Sequence, residues 1–119
     1  MSEPQQMPTE RPPLHVRDVP AAARYEARMG SDPTLAALLE YRLSERFIAL
    51  VHTEVRDGYE GQGLGSRLVR AVLEDLRERE VPVVPKCPFV IGWLQRHPEQ
   101  HDILFRPLEA PEPDEPGTA

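Results

Sequence analysis

The chain has 119 residues, with 14 Lys+Arg against 20 Asp+Glu and one cysteine, which is sequence for a single domain. It contains no run of the roughly 18 apolar residues that a membrane span needs, no apolar signal-peptide core and no second cysteine for a disulfide, so we expect a cytoplasmic protein with no membrane partner. The acidic balance also excludes duplex nucleic acid as an expected partner, because that ligand needs a basic surface.

The two ends of the chain differ in composition from its middle. Residues 1–20 hold five prolines, and residues 107–119 hold four prolines and four acidic residues with no basic one. Such segments cannot bury enough apolar surface to offset the entropy lost on ordering. We therefore predict a flexible segment at residues 1–13, one domain at residues 14–106 and a disordered acidic tail at residues 107–119.

Three successive segments in the middle of the chain predict strands. Residues 23–29 alternate between apolar and charged side chains, as a half-buried strand does. Residues 34–43 fit both a strand and a helix face, and the short turns on either side favour the strand. Residues 46–55 are apolar on both faces, which predicts a central strand covered by helices on both sides.

Two helices and a further strand follow. An apolar stripe with helical spacing runs from Leu64 to about Glu80, and residues 81–84 predict a short buried strand. The order strand, helix, strand predicts a right-handed crossover and parallel pairing. Pro88 suits the first position of a second helix, which Pro98 ends. The sequence thus predicts an α/β domain whose mixed sheet combines an antiparallel meander with a parallel pair, next to two main helices.

A glycine-rich loop lies between the central strand and the first helix. Gly61, Gly63 and Gly65 let the backbone turn tightly and expose consecutive amides, which together with the helix dipole form a site for an anion. The first helical turn carries Ser66 and Arg67 and no acidic residue, so the positive end of the dipole is available to an outside anion. The alternative, a plain strand-to-helix turn, stays open from these residues alone.

Four sequence blocks together resemble one enzyme family. The run from Val55 to Val69, centred on Gly61-Gln62-Gly63-Leu64-Gly65, resembles the coenzyme A pyrophosphate loop of the GNAT superfamily of N-acetyltransferases, whose motif is Arg/Gln-x-x-Gly-x-Gly/Ala. Three more blocks extend the resemblance, over about residues 14–106, to the small YjdJ-type group of GNAT-like proteins. These blocks are His52-Thr53-Glu54-Val55, Lys86-Cys87-Pro88-Phe89-Val90 and Arg96-His97-Pro98-Glu99. Glu60 departs from the motif, and a carboxylate beside a pyrophosphate is unfavourable unless it points away.

The resemblance implies a single small GNAT-like domain that transfers acetyl from acetyl-CoA to an unidentified amine. Acetyl-CoA, as co-substrate, and the amine acceptor are then its partners, and no metal is needed. Two alternatives stay open: a non-catalytic acyl-CoA-binding module, and a domain that has lost its ligand, which Glu60 would favour. The residues that the resemblance places at coenzyme A are Thr53, Val55, Gly61, Gln62, Gly63, Leu64, Gly65, Ser66 and Arg67.

Three residues are candidates for the chemistry. Cys87 neighbours Lys86 and precedes a proline-opened helix, and both a cation and a helix N-terminus favour the thiolate. It could accept the acetyl group or form a disulfide with coenzyme A, or it could be a small buried residue. His52 and Glu54 share one strand face, where either could act as a general base or order a water that does. The alternatives without a chemical role are a hydrogen-bonded core histidine for His52 and a solvated carboxylate for Glu54.

A zinc site is a further alternative. His97 and His101 are four residues apart, a spacing that can share a metal, and Cys87 and His52 could join them. However, Pro98 breaks the helix that would align the two histidines, and the chain has a single thiol. We therefore predict no metal site, and we expect His97 to close the second helix, where the dipole favours a cation.

Overall fold

The structure, a computed structural model, describes residues 12–108. In chain order its elements are β1 (Leu14–Val19), a 3-10 helix (Pro20–Ala22), β2 (Arg24–Met29), β3 (Ala37–Leu43), β4 (Ile48–Val55), α1 (Leu64–Glu78), β5 (Val83–Pro85), α2 (Pro88–Gln95) and a second 3-10 helix (Pro98–Ile103). Most of the two end segments that the sequence predicts to be flexible, residues 1–11 and 109–119, lies outside the described residues. Leu108 is described, and it packs against the main core. Within the described part, no helix has the length and apolar character to cross a membrane.

Five strands form one mixed sheet in the order β1-β2-β3-β4-β5. The first four pair antiparallel with their neighbours, whereas β5 pairs parallel with β4. The predicted α/β class, with an antiparallel meander, a parallel pair and two main helices, is therefore confirmed. β1 is a strand that the sequence patterns above do not predict.

Both helices pack on the same face of the sheet. Leu104, which follows α2, bridges Val83 of β5 in parallel. The connection from β4 to β5 and the connection from β5 to Leu104 therefore move in the same direction across the sheet. Two right-handed connections in the same direction place both helices on one side of the sheet. One core unites the helices with the sheet, and its buried members include Tyr25, Leu39, Ile48, Leu50, Leu68, Val72, Trp93 and Leu94. The expectation that helices cover both faces of β4 is therefore wrong for the described residues. We call the helix-covered side the inner face and the opposite side the outer face.

A β-bulge interrupts the alternation along β4. Leu50 and His52 pair with consecutive residues of β3, so Val51 is an extra residue in the ladder. Leu50 is buried in the inner core, and simple alternation would place His52 on the same face. The bulge instead puts Thr53 on the inner face and His52 on the outer face, which decides what each side chain can contact.

A polar network fixes the second half of α1 against the sheet. The Tyr25 hydroxyl donates to Asp75 at 2.6 Å, and Arg79 donates to Tyr25 at 2.7 Å and to Asp18 at 3.2 Å. Tyr41 donates to the same Asp18 at 2.6 Å, and burial together with that carboxylate raises the pKa of Tyr41 to about 12. The tyrosines therefore stay protonated donors near neutral pH, and the orientation of α1 is held by them.

Candidate functional site

The glycine loop connects the end of β4 to the start of α1 with a left-handed backbone at two of its glycines. The φ angle is +80° at Gly61 and +70° at Gly63, a region that costs other residues roughly 1–2 kcal/mol. Gly63 is the N-cap of α1, makes no side-chain cap bond and is followed by no acid in the first turn. The amides of Leu64, Gly65 and Ser66 therefore have no acceptor inside the helix, which is the geometry that binds an anion.

The two residues after Gly63 also have packing roles. A Cβ at Gly65 would lie 2.7 Å from Cζ of Phe89, so glycine is what lets the ring at the start of α2 approach α1. Leu64 is 2% exposed and belongs to a second small core with Met29 and Ala36. A ligand at this loop could therefore use the backbone amides of Leu64 and Gly65 but not the Leu64 side chain.

The carboxylate that departs from the family motif is engaged within the loop itself. Glu60 Oε1 accepts a hydrogen bond from the Gly58 amide at 2.9 Å, so the side chain turns back along the chain. The neighbouring Tyr59 donates to Asp32 at 2.9 Å and packs against the second core. Gln62 is exposed at the middle of the loop. These contacts anchor the loop and give Glu60 a role in shaping it.

A groove with a volume of about 530 Å³ opens beside the glycine loop. Its lining includes Gly63, Ser66, Arg67 and Arg70 from the start of α1, and Trp93 from α2. The Arg70 guanidinium lies 5.3 Å from the centre of the Trp93 ring. The sequence does not single out Arg70 as a candidate site residue, and it predicts Trp93 as a core residue, which its 1% exposure confirms.

Arg67 lies partly buried at the edge of this groove. Its Nη2 donates to the carbonyl of Pro12 at 3.0 Å, which ties α1 to the chain before β1. Its Nη1 is buried and has no hydrogen-bond partner among the described residues. The guanidinium thus retains an unused donor next to the start of the helix.

The end of the parallel ladder between β4 and β5 brings two candidate residues together. The parallel ladder ends at Leu50 and Pro85, where the Leu50 carbonyl accepts from the amides of Lys86 at 2.8 Å and Cys87 at 2.9 Å. Cys87 is the N-cap of α2, and its Sγ lies 3.5 Å from Oγ1 of Thr53. The two side chains therefore meet on the inner face just beyond the paired part of the strands.

The thiol of Cys87 is buried, and hydrogen bonds oppose the effect of burial on its pKa. Burial alone would raise its pKa, yet hydrogen bonding from the Thr53 hydroxyl and from the amides of Val90 and Phe89 outweighs burial and lowers the pKa of Cys87 below its ordinary value. The amides act from the start of α2, although neither makes a regular cap bond to the sulfur. Lys86, which we expected to favour the thiolate, is exposed, and the groups that lower the pKa are the hydroxyl and the amides.

Replacing Thr53 by valine should move the reactivity of Cys87 to higher pH. Valine keeps the size of threonine but removes the hydroxyl that stabilises the thiolate, so the pKa of the thiol should rise. The measurement is the rate of iodoacetamide alkylation of the folded protein against pH. Thr34→Val, which changes a threonine in the connection before β3, is the matched control and should leave the midpoint unchanged. A wild-type midpoint for Thr53→Val would contradict the role given to the hydroxyl.

His52 and Glu54 lie on the outer face of β4, on the same side as each other. Glu54 stands between His52, at 3.6 Å, and Arg56, at 3.4 Å; we call these three residues the β4 triplet. The side chain of His52 is 53% exposed, so the interpretation as a core histidine is wrong. Because Cys87 lies on the inner face, the structure separates the three candidate catalytic residues into two groups on opposite faces of the sheet.

The histidines near the end of α2 are occupied by backbone carbonyls. His97 donates from Nδ1 to the Trp93 carbonyl at 2.7 Å, and His101 donates from Nε2 to the Leu94 carbonyl at 2.6 Å. A carbonyl oxygen only accepts, so these ring nitrogens carry their protons. They add a second hydrogen bond to carbonyls that already accept the amides of Arg96 and His97 at the helix end. His97 therefore closes α2 as expected. Within residues 12–108, no group of three or more His, Cys, Asp and Glu side chains is arranged to hold a metal ion.

The comparison with known families agrees with this arrangement. Residues 24–103 match the family model described as GCN5-related N-acetyl-transferase. The chain belongs to the GCN5-related N-acetyltransferase family. It is 26% identical over 86 residues to Protein NATD1 of Mus musculus, a match that covers 72% of this chain and 78% of that protein. Protein NATD1 of Homo sapiens matches at the same identity, with 76% of its length covered.

A solved structure shares the fold of this GCN5-related protein. The solution structure of a GCN5-like protein from Staphylococcus aureus matches with a TM-score of 0.60 and 28% sequence identity, over 81% of this chain and 91% of that one. The resemblance to the GNAT superfamily is thus confirmed. The narrower YjdJ-type group stays a prediction.

Proposed function

We propose that this GCN5-related protein transfers the acetyl group of acetyl-CoA to an amine. One observation carries the proposal: the free amides at the start of α1 and the end of the ladder between β4 and β5 lie at the same edge of the sheet. We place the opening for the acyl end of the ligand beyond the end of that ladder. Ligands of parallel strands bind at the edge where the carboxyl ends meet. A long ligand with a pyrophosphate near its middle and a thioester at its end fits these two features together.

Named residues would hold the coenzyme in this proposal. The amides of Leu64, Gly65 and Ser66 would bind the pyrophosphate, with the exposed loop from Gly61 to Gly63 allowing close approach of the backbone. Thr53 and Val55 would line the pantetheine arm along β4. The groove beside α1, which Arg67 and Arg70 line together with Glu74, would offer cationic side chains to the phosphate groups of a nucleotide.

The two groups of candidate residues suggest how the transfer proceeds. Acetyl-CoA supplies an activated acyl carbon when bound in the opening. On the outer face, Glu54 or His52 would take a proton from the acceptor amine, directly or through a water, so that the neutral nitrogen attacks that carbon. The thiolate of coenzyme A then leaves. Cys87 lies on the other side of the strand, where it would form part of the wall of the opening.

A covalent route is the second candidate, and the lowered pKa of Cys87 favours it. The Cys87 thiolate would attack the acyl carbon, release the coenzyme as a thiolate and hold an acetyl thioester until the amine displaces it. However, Cys87 is 5% exposed and faces away from His52 and Glu54. An amine would have to reach across the sheet to the sulfur, so direct transfer is the route we propose. The single cysteine suits the reducing cytoplasm as the place of this reaction.

The test combines binding with turnover. Calorimetry of the full chain with coenzyme A, together with native mass spectrometry for a co-purified coenzyme, should detect a one-to-one complex. Incubation with labelled acetyl-CoA and a panel of peptide and small-molecule amines should then give an acetylated product. Binding without turnover of any amine would favour the non-catalytic module, and an absence of binding would overturn both functions.

A further inference from the structure

The outer face of the sheet carries a second charge triplet that repeats the β4 triplet. On β2, Glu26 lies between Arg24 at 2.8 Å and Arg28 at 3.0 Å; we call these three residues the β2 triplet. The central acid of each triplet is therefore held between two basic side chains. The β2 triplet has two arginines and one glutamate, so it carries a net charge of +1. The β4 triplet combines one arginine and one histidine with one glutamate.

The two triplets belong to one continuous surface. Leu38 of β3 pairs with Glu26 on one side and with Glu54 on the other, so the three side chains form one row across the sheet. Leu38 is only 2% exposed, although no helix within residues 12–108 covers it. Long charged side chains bury apolar neighbours under their stems in this way, so the charged groups form a layer over the strand between them.

Further basic residues extend this layer. Arg17 of β1 pairs with Glu26 across the strands, and Arg42 shares a face of β3 with Leu38. Both are exposed, and neither makes an ion pair within residues 12–108. The outer face thus holds five arginines against three glutamates, and Asp32 borders it beside Arg17 and Arg28. Its net charge is therefore +1 with its histidines neutral, on a chain whose net charge is −6. The arginines are Arg17, Arg24, Arg28, Arg42 and Arg56, and the glutamates are Glu26, Glu40 and Glu54.

We propose that the acceptor amine is presented by an acidic polypeptide segment that docks across this outer face. The inference rests on the proposed function, because it puts the amine at Glu54. Four neighbouring strands about 4.8 Å apart make the face about 14 Å wide, and no described helix covers it. A small amine would contact only part of such a surface, whereas an extended acidic segment matches both its width and its charge.

The spacing of the strands predicts where the acidic residues should stand. β2 is two strands from β4, or about 10 Å, which an extended chain crosses in about three residues. β1 is three strands away and needs about four residues. Alternate side chains of an extended chain face the same side. With the amine at Glu54, acids two and four positions from it would therefore face the sheet, near the β2 triplet and Arg17.

The experiment compares blocked peptides that contain one central lysine. One peptide has glutamate two and four positions from the lysine on both sides, and its partner has glutamine there. We expect kcat/KM for acetylation by the full chain to be about tenfold higher for the glutamate peptide, and the difference to shrink at high salt, which screens exposed charges. Arg17→Gln should reduce the difference about threefold. Arg96→Gln, the same change at the exposed end of α2, should leave it as it is.

A binding measurement separates this inference from the proposed function. Fluorescence anisotropy of the labelled glutamate peptide, without any coenzyme, should show binding that is weaker for Arg17→Gln and for the glutamine peptide. The acidic acceptor would be overturned if the two peptides were bound and acetylated equally, or if small amines were acetylated as efficiently as the glutamate peptide. The proposed function would still stand in either case. Binding of the glutamate peptide by a chain that acetylates no amine would support the docking surface and overturn the proposed function.

Discussion

Gly63→Asp should abolish the binding of coenzyme A. Gly63 is the N-cap of α1 with a φ of +70°, directly before the three amides that have no acceptor in the helix. An aspartate there would place a carboxylate where the pyrophosphate is proposed to lie, and like charges in contact cost several kcal/mol, or at least about a hundredfold in affinity. Calorimetric titration with coenzyme A measures the loss.

Gly63→Asn is the matched control for this change. Asparagine has the shape of aspartate and tolerates left-handed backbone, so it reproduces the bulk and the conformational cost without the charge. We expect Gly63→Asn to bind coenzyme A measurably, with both variants unfolding near the wild-type temperature. Equal affinities for the two variants would mean that the loop does not contact the phosphates.

Glu54→Gln should lower kcat by about a hundredfold, the lower end of what a general base contributes. Glutamine keeps the size of the side chain and its place between His52 and Arg56 but cannot take a proton. The Kd for coenzyme A should stay at the wild-type value, because Glu54 lies on the outer face. His52→Gln is the control: a larger loss of kcat there than in Glu54→Gln would make the histidine the base and contradict this assignment.

Cys87→Ser decides between direct and covalent transfer. Serine nearly matches cysteine in size but is not ionised near neutral pH, so it removes the nucleophile with little change in packing. In direct transfer the variant should keep most of its rate, and a single turnover with labelled acetyl-CoA should leave no label on the wild-type protein. Label on the wild type that is lost in the serine variant, together with its activity, would establish the covalent route instead.

The features that the sequence predicts correctly depend on local patterns. The helical stripe that begins at Leu64, the glycines of the loop and Pro88 at the start of α2 each determine the backbone within a few residues. The strand-helix-strand order adds the parallel pair, because the handedness of that connection hardly varies. The α/β class and the position of the candidate anion site could therefore be read from the sequence.

The features that were missed depend on partners elsewhere in the chain. β1 alternates over only a few residues between Pro13 and Pro20, and it is recognisable as a strand chiefly because β2 lies beside it. The bulge at Val51 exists only relative to the ladder with β3. The groove around Arg70 and Trp93 needs both helices in place. None of these has a signal within one short stretch of sequence.

The bulge in β4 predicts how a relative that is one residue shorter at this position would differ. It comes directly after Leu50, the last residue of β4 that pairs with β5, and such an insertion bends and twists its strand. A relative that lacked Val51 would keep Thr53 inward and Glu54 outward, since ordinary alternation would then give the same two sides. It would lose only the local twist at the point where the strands part. A gap of one residue at this position in an alignment would therefore mark a change in the course of β4 and not a change in which side chains face inward.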